Sequence, residues 1–136
     1  MAVVTFSGID GELAKLQRIS QSTDEALKKA VKAGGDLLAE KLREAAPVRT
    51  GGLQKSIKAG KVEYSAGDGY TTEVKPTGNN PRGESYARIG NVLEYGRGES
   101  LKPRPWFNPT VLQSESAVKA KMAEVFKSET EKEAKG

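Results

Sequence analysis

Between Ser22 and Ala46 the apolar residues return at every third or fourth position: Leu27, Ala30, Val31, Gly34, Leu37, Leu38, Leu42 and Ala45. That spacing follows the turn of an α-helix, so these side chains gather into one stripe and the charged residues between them cover the other face. Ser22 with Glu25 three residues later forms a capping box at the start. Pro47 ends the helix, because it cannot donate a hydrogen bond and disfavours helical geometry at Ala46. At ~1.5 Å per residue the predicted helix is a rod of roughly 36 Å, about the diameter of a compact domain of this length, so the rest of the chain must pack along it. Gly34 and Gly35 each cost a helix roughly 1 kcal/mol relative to alanine. Gly34 lies in the apolar stripe, which predicts the close approach of another element there.

Upstream, Val3, Val4 and Phe6 read as a short strand, Gly8 breaks it, and Asp10 caps a helix carrying Leu13, Leu16 and Ile19. After Pro47 the period changes. Thr50 is placed to cap one short helical turn, whose Leu53 and Ile57 share a face and dock on the core. From Ile57 to Tyr64 and from Tyr70 to Val74 the period falls to two, with Val62 and Tyr64 in the first run and Tyr70, Thr72 and Val74 in the second. Ser65 to Gly69 between them has the glycines and aspartate of a hairpin turn. Pro76 to Ser85 has no large apolar side chain and is expected to be an exposed loop, mobile in the free subunit and ordered on assembly.

Tyr86 to Tyr95 suits a short helix through Ile89, Val92 and Leu93, or a strand from Val92 onwards; the helix is favoured. Gly96 to Pro103 reads as loop. Asn108 and Pro109 then predict a helix start, with Asn108 as N-cap. Val111, Val118, Met122, Val125 and Phe126 form the apolar face of that last helix, and 127–136, with nothing apolar larger than alanine, is expected to fray. The fold class is α+β: a long N-terminal helix and a C-terminal helix packed on a small antiparallel sheet, in a single domain of 136 residues.

Composition narrows the chemistry. Without cysteine or histidine there is no disulfide framework, no thiolate site, no usual neutral-pH base and no zinc site to expect. The net charge of +4 lies entirely in 47–110, where ten basic residues are interleaved with six acidic ones; a solvated surface fits this better than the dense basic stripe of a nucleic-acid reader. No apolar run approaches the ~20 residues that span a bilayer, and the N-terminus lacks the order of a signal peptide, so a soluble protein of the cytoplasm with no membrane partner is expected.

Catalysis would need a nucleophile with a base, paired carboxylates in one pocket, or a phosphate loop. None is legible: Gly51-Gly52 lacks the spacing and lysine of a nucleotide loop, and Gly96-x-Gly98 lacks a third glycine. The reading is of a non-enzyme without cofactor or metal. Pro103-Arg104-Pro105-Trp106-Phe107-Asn108-Pro109 is more informative, since its prolines stiffen the chain and hold both aromatics as either a core plug or an interface anchor. Adjacent side chains in an extended segment point to opposite sides. Phe107 is therefore assigned to the core, and Trp106, whose indole donor stays hydrated at a boundary, to a subunit surface with Arg104.

The order of these motifs resembles the gene-product-10-like tail-component family of long-tailed bacteriophages. The match is carried by Pro47, Thr50, Gly51, Leu53, Ser56 and Ile57, then Glu94, Tyr95 and Gly96, then Arg104, Pro105, Trp106, Phe107 and Pro109. Trp106 stands where phenylalanine is usual, and Arg97 where a small hydroxyl residue is common. The resemblance implies an α+β structural protein of the virion, assembled in the host cytoplasm and working at the head–tail junction, in tail completion or head–tail joining. It implies a ring of copies of the chain, contacts with connector, tail-terminator or tail-tube proteins, transient contact with DNA passing through the neck, and no catalysis. Arg82, Glu94, Arg97, Arg104 and Trp106 are the candidate interface residues. The rival is a small basic nucleic-acid-binding protein using Arg82, Arg88, Arg97, Lys102 and Arg104.

Overall fold

A computed structural model describes residues 4–6, 22–47, 51–65 and 69–135. The expected helix after Asp10, the side chains of Ser22 and Thr50, and the turn residues 66–68 lie outside the described residues. The 24-residue helix α1 (Ser22–Ala45) stands where the apolar stripe predicts it. Leu27, Ala30, Val31, Leu38 and Leu42 are fully buried along it.

The stripe is wider than one face. Ala26, Gly35, Ala39 and Ala46 are also buried, whereas Ala45 is exposed and Leu37 only half-buried. The reason is a three-layer stack, in which α1 packs against a sheet on one side and against the last helix on the other. The two adjacent glycines divide this work. A Cβ on Gly34 would meet Met122 Cγ at 2.6 Å on the last helix, and one on Gly35 would meet Thr72 Cγ2 at 2.7 Å on the sheet.

The sheet is antiparallel and organised on one strand. Its strands are β1 (Val4–Phe6), β2 (Ile57–Ala59), β3 (Glu63–Ser65) and β4 (Gly69–Pro76), and the other three all pair with β4. Val74 sits opposite both Val4 and Ala59. Tyr70, Thr72, Val74 and Pro76 of β4 are buried in strict alternation, on a strand that packs against α1. The predicted strand from Ile57 to Tyr64 is broken in two. Ala59 pairs with Val74 and Glu63 with Thr71, so four steps on one side answer three on the other, which is a bulge of one residue. Gly60 anchors it, its N–H donating to Glu73 O (2.7 Å) and its carbonyl accepting from the Thr72 hydroxyl (2.9 Å). Past the bulge Tyr64 turns outward and is 61% exposed.

A single helical turn, α2 (Gly52–Ser56), joins α1 to the sheet. Its N-cap position is held by Gly51 in a left-handed conformation (φ 81°), without a side-chain cap. Leu53 and Ile57 dock in the core as the spacing predicts. The segment 86–95 is the helix α3 (Tyr86–Tyr95), capped by Ser85. The last helix, α4 (Phe107–Lys135), starts before Asn108 and runs through the stretch expected to fray, where Lys29 of α1 pairs with Glu129 at 3.0 Å.

Candidate functional site

The segments that stand out in sequence at 94–96 and 104–109 form one joint. Glu94, in the last turn of α3, is 2% exposed, and its carboxylate lies over the start of α4. Oε1 accepts from the backbone N–H of Trp106 (2.6 Å) and Phe107 (2.9 Å), and Oε2 from that of Asn108 (3.0 Å). The next residue, Pro109, has no N–H to satisfy. One side chain thus meets the donors that the first turn leaves unpaired, and places an acid at the positive end of the helix. Asn108 is therefore not the N-cap; it lies inside the first turn, and its side-chain amide donates to the Tyr95 hydroxyl (3.0 Å).

This corrects two expected interface residues. Glu94 is interior, and Trp106 is 5% exposed rather than at a boundary. The chain turns from extended to helical between Trp106 and Phe107, so both rings enter the core and meet edge to face with centroids 5.3 Å apart. The Trp106 indole N–H donates to Gly90 O (3.2 Å) instead of to water. Gly90 leaves the room for this ring, since a Cβ there would stand 3.1 Å from it. Gly96 is equally constrained, with φ 78° and Leu101 O only 2.6 Å from where a Cβ would be. The local signal that could have revealed the joint is that no Ser, Thr or Asp stands just before Phe107, so the cap had to come from elsewhere in the chain.

Arg82, Arg97 and Arg104 remain on the surface. Arg82 sits on the loop between β4 and α3, which is exposed as expected but folded on itself. Asn80 Oδ1 accepts from the N–H of Arg82 and of Glu84, both at 2.9 Å, and Gly83 N–H returns to Asn80 O. Arg97 pairs with Leu101 through the backbone, and Arg104 N–H donates to Leu93 O (2.8 Å), holding the second loop against α3. Tyr95 and Leu112 are exposed at 56% and 72%.

Two open grooves lie among the described residues. One, of about 380 Å³, lies on the outer face of the sheet among Lys58, Lys61, Glu63, Glu73 and Lys75. The other, of about 420 Å³, runs between α1 and α4, with Glu44 and Ala45 facing Thr110, Gln113 and Ala117. Among the described residues no cluster of three or more carboxylates could hold a metal ion, and no helix is long and apolar enough to cross a membrane.

A protein-family model described as "Bacteriophage HK97-gp10, putative tail-component" matches residues 12–96, more than half of the 136. No curated protein and no solved structure matches the chain.

Proposed function

Because the chain belongs to the bacteriophage HK97-gp10-like tail-component family, and is thus a structural tail component of the virion, we propose that it acts at the head–tail junction. In this reading it completes the tail or joins it to the head as a ring of identical subunits assembled in the host cytoplasm, in contact with connector, tail-terminator or tail-tube proteins and with DNA passing through the neck.

The observation that carries the reading is the joint between α3 and α4. Glu94, within the segment that matches the family, is used inside the subunit to lock two helices, and not around a reactive pocket. The braced body then carries Arg82, Arg97 and Arg104 on its exposed loops. Rigid bodies with arginine at the surface suit fixed docking in a symmetric assembly, since little ordering entropy is lost on contact.

The test is assembly without the chain. Phage lacking it should yield DNA-filled heads and separate tails, purified protein should restore joining, and quantitative mass spectrometry should count several copies per particle. Joined, infectious particles made without it, or a single copy per particle, would overturn the reading.

A further inference from the structure

We propose that copies of this chain join head to tail through two unlike faces built on the first turns of α4: a knob formed by Tyr95 and Leu112, and the groove between α1 and α4. The proposal rests on the ring reading above and names the contact that would build the ring.

The knob is a single surface. Tyr95 and Leu112 are two of the three large apolar side chains exposed among the described residues. Asn108, which holds the Tyr95 hydroxyl, stands one turn before Leu112 on the same face of α4. Arg88 lies seven residues before Tyr95 and so shares its face of α3, and it is exposed. Arg104 is fixed beside the end of α3 by its backbone bond to Leu93. Neither Arg88 nor Arg104 enters an ion pair among the described residues. Tyrosine flanked by arginine has the chemistry of an interface anchor, and Leu112 adds exposed apolar area beside it.

The groove is concave, and the edge of α1 that borders it carries two acids, Glu40 and Glu44, against one lysine, Lys41. Ala45 and Ala117 leave it concave, Glu44 lines it, and Glu40 stands one turn earlier on the same side of α1, beyond the lining itself. Both carboxylates are exposed and outside any ion pair among the described residues, and Lys41 is the one cation in the lining. Leu112 and Ala117 are five residues apart and therefore occupy different faces of α4. Each subunit can offer its knob to one neighbour while its groove receives another. Such a contact between unlike faces repeats, and it closes into a ring when the rotation per subunit allows, which is why the occupant is a second copy.

Introduced thiols test this without background, because the chain has no cysteine. Leu112→Cys and Ala45→Cys alter exposed positions on the two faces, and the melting temperature of each variant confirms its fold. Under oxidation, in concentrated protein and in assembled tails, the double variant should give a ladder of linked multimers. A mixture of the single variants should give linked pairs only, and each single variant alone should stay unlinked. Glu44→Arg should reduce linkage by about tenfold or more, and adding Arg104→Glu should restore it. Linkage of Leu112→Cys to itself would mean a two-fold contact and overturn the proposal. Absence of a ladder in particles holding several copies would overturn this contact and leave the ring standing. A single copy per particle would overturn both.

Discussion

At the scale of single residues, Glu94 has the largest consequence. Glu94→Ala removes the acceptor of three N–H groups at a helix start where Trp106 and Phe107 are buried. Unmade hydrogen bonds of this kind and a lost cap together should cost about 3 kcal/mol or more. Glu94→Gln keeps one oxygen but turns an NH₂ donor towards a backbone donor, so it should recover only part of the loss. Chemical denaturation of both variants checks the order, and an unchanged midpoint for Glu94→Ala would show that α4 does not depend on this cap. Tyr70 offers a test by pH. Burial raises its hydroxyl above the ordinary 10.0, Asp24 adds to the rise, and Lys28 opposes it. A raised folded pKa makes its contribution complete below the unfolded value and lost as pH climbs through the folded one, because the unfolded state releases its proton first. Stability of the wild type should therefore fall more steeply above about pH 10 than that of Tyr70→Phe. Parallel curves for the two proteins would show that folding leaves this hydroxyl untouched.

At the scale of elements, the glycine pair in α1 separates two kinds of packing. Alanine at either site improves helix propensity by roughly 1 kcal/mol, so steric cost decides the sign. At Gly34 the neighbours are Cγ and Sδ of Met122, an unbranched side chain that can change rotamer, and Val118 Cγ1 at 3.3 Å, so Gly34→Ala should cost less than the same change at Gly35. At Gly35 the neighbour is Thr72, a branched side chain, fully buried and tied by its hydroxyl to Gly60 O, with Ala59 Cβ also 3.3 Å away. Gly35→Ala should destabilise by roughly 1 to 3 kcal/mol, as overpacking does. Thermal melts that ranked the two the other way would place the tighter seam at α4. The pattern of apolar residues was enough to locate α1, the alternating face of β4, the docking of Leu53 and Ile57, and α3. It could not show the bulge at Gly60, which exists only relative to a partner strand. Nor could it show the cap on α4, because Asn108-Pro109 is a good local start and the group that overrides it lies twelve residues upstream of Trp106.

At the scale of the whole molecule, the charge excess gains a location but not yet a partner. Arg82, Arg88, Arg97, Lys102 and Arg104 are all exposed, on α3 and the loops at its two ends, and none enters an ion pair among the described residues. The sequence showed which residues these were. It misassigned Trp106 and Glu94, whose burial depends on contacts across the fold. Salt separates the two uses that such cations could have. If all five met phosphates on a duplex, affinity would fall by about four to five powers of ten for a tenfold rise in salt. A contact between copies that buries Tyr95 and Leu112 and places Arg88 and Arg104 against Glu40 and Glu44 depends on salt only through two exposed pairs, a loss of no more than about thirtyfold over the same range. We expect the second behaviour: a concentration-dependent mass in light scattering that shifts modestly between ~0.05 and ~0.5 M salt, and no tight binding of short duplex DNA at physiological ionic strength. Steep salt dependence together with tight duplex binding would instead make the basic surface a nucleic-acid interface, and the contact between copies would then have to be sought on another face.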